Sequence, residues 1–184
     1  MKPTDFILSL IDASGGNIQG RTLLQKRAYF ISIPLELTEA LGFDAHYYGP
    51  YSAVIDNAVT QLKSLGFVDE ANIGFGVARD GFEMKRYDYR LTPDGRQVVD
   101  LVKKENPGEY ALILGTLAKI ADAEYLELSI AAKAYYIIKK SGRGLSRMEI
   151  IKEAERFDWK IDPKKLEKAV DFLDELSLLP GQSA

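Results

Sequence analysis

The amino-acid sequence predicts a mainly α protein with one small β-hairpin, and three observations carry that prediction. Apolar residues recur at helical spacing through most of the chain. Strand-like alternation is confined to residues 67–73 and 85–91, and Gly or Pro stands wherever one segment gives way to the next. The third observation is the stretch from His46 to Val68, which orders the rest. Pro50 follows Gly49, which escapes most of the restriction proline imposes on its predecessor, and Ser52 is a natural N-cap, so a helix starts at Ala53. Ile55, Ala58, Val59, Leu62 and Leu65 make its apolar face; Asp56, Asn57, Thr60, Gln61, Lys63 and Ser64 face outward; Gly66 stops it. A short polar-fronted helix running straight into strand residues is the pattern of a recognition helix in a winged helix-turn-helix domain.

The remaining elements fit that order. Phe6, Ile7, Leu10 and Ile11 make a first amphipathic helix, broken at Ser14-Gly15-Gly16-Asn17. A second helix over 21–31 places Leu24, Ala28 and Ile31 inward and Gln25, Lys26 and Arg27 nearer solvent; Pro34 ends it, and 35–41 reads as a short third helix before Gly42. After Gly66 come the two antiparallel strands. Tyr87, Tyr89 and Leu91 share one face of the second, with Gly74, Gly76 and Gly81 marking a wing tip between the two. Thr92-Pro93 opens a helix to about Glu105. Asn106-Pro107-Gly108-Glu109 breaks it and starts another, with Asn106 as N-cap, so the domain boundary falls between 105 and 106. The helix from 107 to about 123 carries Leu112, Leu114, Leu117, Ala118 and Ile120 on its apolar face, and a long helix over 126–140 ends at Ser141-Gly142. Ser146 to Glu149 forms a capping box and Asp162-Pro163 a further helix start, which makes 106–184 a helical domain.

A fixed-offset comparison exposes an internal repeat. Ile55, Ala58, Val59, Leu62 and Leu65 recur after 111 residues as Leu166, Ala169, Val170, Leu173 and Leu176, with Phe67-Val68 answering to Leu178-Leu179. At an offset of 127, Ser14-Gly15, Ile18, Leu23-Leu24 and Phe30 answer to Ser141-Gly142, Leu145, Ile150-Ile151 and Phe157. The C-terminal domain accordingly reads either as a second, wingless helix-turn-helix or as a generic bundle.

Composition narrows the function classes. The 184 residues include no Cys and a single His, which excludes disulfides and thiolate zinc sites, argues against a His-based triad or metal site, and leaves only carboxylate metal sites open. No apolar run reaches membrane-spanning length, so the expected setting is cytoplasmic. No P-loop, dinucleotide glycine pattern or nucleophile elbow appears, and the expectation is a non-enzyme without cofactor or metal. Net charge is −3, yet residues 133–168 hold 11 Lys/Arg against 6 Asp/Glu. Any polyanion is better met there than between 52 and 92, where 5 basic residues face 6 acidic ones.

Leu24-Gln25-Lys26 within GRTLLQKRAYFI, Tyr48-Gly49-Pro50 within YYGPYSAVIDNAV, and the later YRLTPDGR together resemble the YwgA-like group. More distantly they are similar to the Panacea, or SocA-like antitoxin, domain. The resemblance covers residues 5 to 100. It implies a winged-helix-like domain with no established catalysis and, from the antitoxin side, protein partners.

Two functional readings follow. In the first the chain binds nucleic acid, double-stranded DNA in particular, as a transcriptional regulator does: Asn57, Gln61, Lys63 and Ser64 reach bases or phosphates from the recognition helix, and Lys85, Arg86 and Arg90 reach them from the wing. The basic segment adds Arg143, Arg147, Lys164, Lys165 and Lys168, where free helix N–H groups beside lysines favour phosphate. In the second the chain is an adaptor or antitoxin-like module that meets a protein through Tyr47, Tyr48 and Tyr51. Homodimerisation through the 107–123 helix is a third possibility.

Overall fold

The computed structural model describes residues 1–77, 83–121, 123 and 125–179. It is mainly helical, with eight helices and two small antiparallel sheets among the described residues. Two compact units partition the chain: Met1–Gly42 with Ser52–Ala118, and Phe43–Tyr51 with Lys119–Ala184. Neither division falls between 105 and 106, where the sequence placed its boundary. A break between helices is a local event, whereas a unit is defined by what packs together.

In the first unit α1 (Pro3–Ala13) leads into a three-residue strand β1 (Asn17–Gln19), then α2 (Arg21–Ser32), α3 (Ala53–Ser64), β4 (Val68–Val77), β5 (Glu83–Leu91), α4 (Pro93–Glu105) and most of α5 (Pro107–Ile120). The strands form one antiparallel sheet in the order β1-β5-β4, with Ile18 opposite Tyr89 and Val68 opposite Leu91. The apolar residues of α1, together with Leu24, Ala28 and Ile31 of α2 and Ile55, Ala58, Val59 and Leu62 of α3, are buried, as their spacing requires. Tyr89 and Leu91 are buried and Tyr87 is half-buried, which is the expected face of β5. Gly74 and Gly76 lie within β4, while Gly81, also assigned to the wing tip, is outside the described residues.

The polar face of α2 departs from the sequence reading. Gln25 is 2% exposed and Lys26 1%, so neither faces solvent. Arg27 is half-buried, donating to Ser14 Oγ at 3.3 Å, and burial lowers its pKa. Gln25 is inside because it does the work of a backbone segment: its Oε1 accepts from Ser52 N at 2.9 Å and its Nε2 donates to the Ser52 carbonyl at 3.0 Å. Ser52 Oγ in turn caps α3 by accepting from Ile55 N at 3.1 Å. Asp56, one turn on, is clasped by Arg21 and by Gln25 Nε2. Residues 35–41 form successive turns instead of a helix, with Glu36 at a positive φ of 55°.

After β5, Thr92 caps α4 by accepting from Gly95 N at 3.0 Å while its hydroxyl donates to the Gly66 carbonyl at 2.7 Å. Gly95 is required there, because a Cβ would sit inside the Phe67 carbonyl oxygen. Asn106 does not cap α5; its amide turns back to the Val102 carbonyl at 3.1 Å. On α5 Leu117 and Ile120 are buried as expected, but Ile113 joins them in place of Leu112 and Leu114, which with Ala118 are exposed. Tyr110 donates to Asp12 at 2.6 Å and Lys103 pairs with the same carboxylate at 2.7 Å, tying α4 and α5 to α1.

The second unit contains α6 (Tyr125–Ser141), α7 (Arg147–Glu155), α8 (Pro163–Glu175) and a hairpin of β2 (Asp44–His46) and β3 (Gly49–Tyr51). Its three helices follow the repeat: α6 packs on α8 as α1 packs on α3. The helix ends match in detail. Gly66 N donates to Lys63 O at 3.0 Å and Phe67 N to Leu62 O at 3.0 Å; at the equivalent places Ser177 N donates to Asp174 O at 2.8 Å and Leu178 N to Leu173 O at 3.0 Å. Gly66 (φ 73°) and Ser177 (φ 57°) share the left-handed conformation that such an ending needs.

Gln25→Ala leaves the Ser52 N–H buried without a partner and its carbonyl with only the long bond from Asp56 N, and is expected to cost about 1–3 kcal/mol in urea unfolding. Gly95→Ala should cost about 3 kcal/mol through overpacking against the Phe67 carbonyl. Gly115→Ala, at a helical position open on all sides, should instead gain about 0.5–1 kcal/mol.

Candidate nucleic-acid interface

The outer side of α3 stands clear of the protein. Asn57, Thr60, Gln61 and Ser64 are exposed, with Thr60 and Ser64 hydroxyls folded back onto the Asp56 and Thr60 carbonyls. Serine and threonine on an exposed helix commonly do this, and a hydroxyl held there still has lone pairs for a ligand. Asn57 and Gln61 lie four residues apart, one above the other on a single face. Their amides offer both donors and acceptors, the chemistry that reads base edges.

The cations around this face are largely engaged. Lys63 pairs with Glu70 on β4 at 2.6 Å. Arg86 makes a two-pronged contact with Asp88 at 2.7 and 2.9 Å, two residues along the same strand, and that hydrogen bond raises its pKa. Lys85 and Arg90 are exposed on β5. Lys63 and Arg86 therefore cannot contribute full charges to a phosphate contact without breaking a pair.

In the second unit the basic residues divide into two groups. Arg143 pairs with Glu149 at 2.8 Å, and Arg147 with Glu167 at 2.9 Å and Asp171 at 4.0 Å. These link the loop before α7, and α7 itself, to acidic residues on α7 and α8. Lys164, Lys165 and Lys168 are all exposed on the first turns of α8, and no ion pair to a described residue involves them. The α8 N–H groups expected to meet a phosphate are taken, since Asp162 Oδ1 accepts from both Lys164 N and Lys165 N at 3.0 Å. The three exposed ammonium groups remain at that end of α8.

Tyr47 and Tyr48 occupy the tip of the β2/β3 hairpin, edge to face at 4.9 Å, with 71% and 54% of their surface exposed. Tyr51 is half-buried, its ring 4.9 Å from that of His46. The hairpin is anchored by Trp159, whose Nε1 donates to the His46 carbonyl at 2.7 Å and whose ring completes a cluster with Tyr136 and Phe157. His46 thus acts through its backbone and its ring face. The sequence placed these tyrosines in a turn opening α3; Trp159, 113 residues away, was the signal for another role, but a lone tryptophan does not announce its partner.

Among the described residues no helix is long and apolar enough to cross a membrane. No family model matches the chain. A protein of Bacillus subtilis (strain 168), described as the uncharacterised protein YwgA, is 30% identical to it over 100 residues, 54% of this chain and 56% of that relative. The match is distant, and the chain spans little more than half the relative's length.

Glu149 closes the capping box of α7. Its carboxylate accepts from Ser146 N and Ser146 Oγ at 2.8 Å and from Arg143. The Ser146 backbone bond first, then the Arg143 and Ser146 side chains, lower its pKa from an ordinary 4.5 to about 2. A depressed carboxylate stabilises the folded state above its unfolded pKa and ceases to do so as pH falls through the folded value. The α7 cap should therefore hold down to about pH 4.5 and loosen between there and about pH 2. Carboxyl chemical shifts followed against pH check this, and Arg143→Ala should raise the Glu149 midpoint.

Proposed function

We propose that this chain is a winged-helix protein that binds nucleic acid, double-stranded DNA above all, in a regulatory and non-catalytic role. The observation that carries the reading is the outer side of α3: uncharged, hydrogen-bonding, exposed, and backed by the β4/β5 hairpin in an α1-β1-α2-α3-β4-β5 order. In this reading Asn57 and Gln61 read base edges, Ser64 and Arg90 contact the backbone, and Lys164, Lys165 and Lys168 supply phosphate charge. Lys63, Arg86, Arg143 and Arg147 play a lesser part because their charges are matched within the protein.

A second reading has its own observation. Two tyrosines so exposed at the tip of a hairpin suit an anchor for a protein partner, as in an adaptor or antitoxin-like module.

Fluorescence anisotropy with random and selected duplexes separates the two. Under the first reading affinity falls with salt, and Lys164→Ala/Lys165→Ala/Lys168→Ala flattens the slope of log K against log salt by about 3, near 0.9 for each phosphate that a lysine no longer neutralises. Asn57→Ala/Gln61→Ala keeps that slope and loses about 1–3 kcal/mol of discrimination at each base it read. Absence of duplex binding at low salt, with salt-insensitive capture of a protein lost in Tyr47→Ser/Tyr48→Ser, supports the second.

A further inference from the structure

The internal repeat shows what the second unit lacks. In the first unit the central strand β5 enters between two rails. Leu91 N donates to the Gly16 carbonyl at 3.0 Å, Leu91 pairs with Val68, and Thr92 N donates to the Phe67 carbonyl at 3.1 Å. The Leu91 side chain is buried there. In the second unit the counterparts of Gly16, Phe67 and Val68 are Arg143, Leu178 and Leu179, and the counterpart of β1 is Gly144-Leu145-Ser146. Both rails are present, and no strand runs between them among the described residues. Between Arg143 and Leu178-Leu179 lies instead a cleft of about 280 Å³, floored by Tyr135 and Ile138 of α6.

Part of the backbone along this cleft is without internal partners, although Arg143 N, the Gly144 carbonyl and the Ser146 N–H and carbonyl are already bonded. No described residue makes a hydrogen bond to the Leu145 backbone or to the Leu178 carbonyl, the counterpart of the carbonyl that takes Thr92 N. The Arg143 carbonyl, counterpart of the one that takes Leu91 N, is met only by the hydroxyl of nearby Ser141 at 2.9 Å and keeps a second lone pair. Charge has reversed between the two copies. Asp12 in the first unit becomes Lys139 at the cleft, and Gly16 becomes Arg143. A neighbouring cavity of about 470 Å³ adds Lys140 and Lys152 along the Leu145 rail, beside Glu149 and Glu153, the latter paired with Arg156 at 2.7 Å.

We propose that this cleft is a strand-acceptor site: it takes an extended segment of a partner protein that carries one aliphatic side chain for the Leu91-equivalent position, flanked by acidic residues. Backbone groups on both rails supply affinity by β-augmentation, the apolar floor selects the aliphatic side chain, and the exposed Lys139 selects an acidic neighbour.

The probe is a synthetic peptide of residues 83–92 of this chain bearing Lys85→Glu, Arg86→Glu and Arg90→Glu, titrated into the full chain and followed by amide chemical shifts. Shifts are expected at Arg143, Leu145, Leu178 and Leu179. Leu91→Asp in the peptide should weaken binding about tenfold or more, as removal of one buried aliphatic side chain does. Lys139→Glu in the chain, at an exposed position that leaves the apolar floor intact, should weaken it comparably, and Tyr47→Ser/Tyr48→Ser should leave it unchanged. The proposal is overturned by no binding at about 1 mM peptide, by indifference to Leu91→Asp, or by shifts confined to Gly16, Phe67 and their neighbours, which would mean exchange with β5 in the first unit.

Discussion

The first unit depends on a side-chain amide that behaves as a piece of backbone. Gln25 offers one acceptor and one donor to the N–H and carbonyl of Ser52, 27 residues later. A helix cap is the place where such help is needed, since the first N–H groups of a helix have no partner within it. Each bond contributes about 0.5–1.5 kcal/mol net, but the greater effect is that the Ser52 N–H, otherwise buried bare, is spared the desolvation penalty. Arg21 and the same Gln25 then hold Asp56 one turn further on. The start and orientation of α3 are consequently set by α2, with the Leu41 carbonyl of the intervening chain as a further anchor for the Ser52 hydroxyl.

That arrangement frees the intervening chain. Residues 35–41 need only turn, and Phe43–Tyr51 can leave the first unit altogether and fold as a hairpin within the second. Leu24-Gln25-Lys26 and the segment around Tyr48-Gly49-Pro50 look like two separate short motifs in the sequence. Structurally the first of them grips the residue that closes the second stretch, so a change at either end is felt by α3.

Much of the helical framework was legible because amphipathic spacing and caps are local signals. Ser52, Thr92, Asp162 and the Ser146/Glu149 box all cap the helices they were expected to start. Periodicity failed where a polar residue had a distant reason to be inside, as Gln25 and Lys26 do, or where neighbouring leucines offered two phases, as at Leu112, Ile113 and Leu114. β1 was missed because three residues carry no measurable alternation. The candidate interface was legible as residue types and not as available charge: Lys63 with Glu70, and Arg147 with Glu167, are pairings that a count of cations cannot see. The tyrosines were visible at once, but their hairpin owes its place to Trp159.

The repeat explains why the two units end differently from one helical plan. The first covers its helices with a three-stranded sheet whose middle strand buries Leu91. The second has no β4 or β5 of its own among the described residues, and uses the β2/β3 hairpin instead. Ser129, Lys133, Tyr136 and Lys140, which meet Tyr48, Trp159 and Phe157, recur at three- and four-residue spacing along one face of α6. Tyr135, Ile138, Lys139 and Gly142 lie on another face. The hairpin therefore closes the aromatic side, and among the described residues no strand covers the side that β5 fills in the first copy. Burial of Tyr135 and Ile138 keeps that floor apolar without covering strand, because α6 and α8 already shield most of each side chain. A unit with a buried apolar floor and room for one more strand meets the physical condition for recruiting that strand from another molecule.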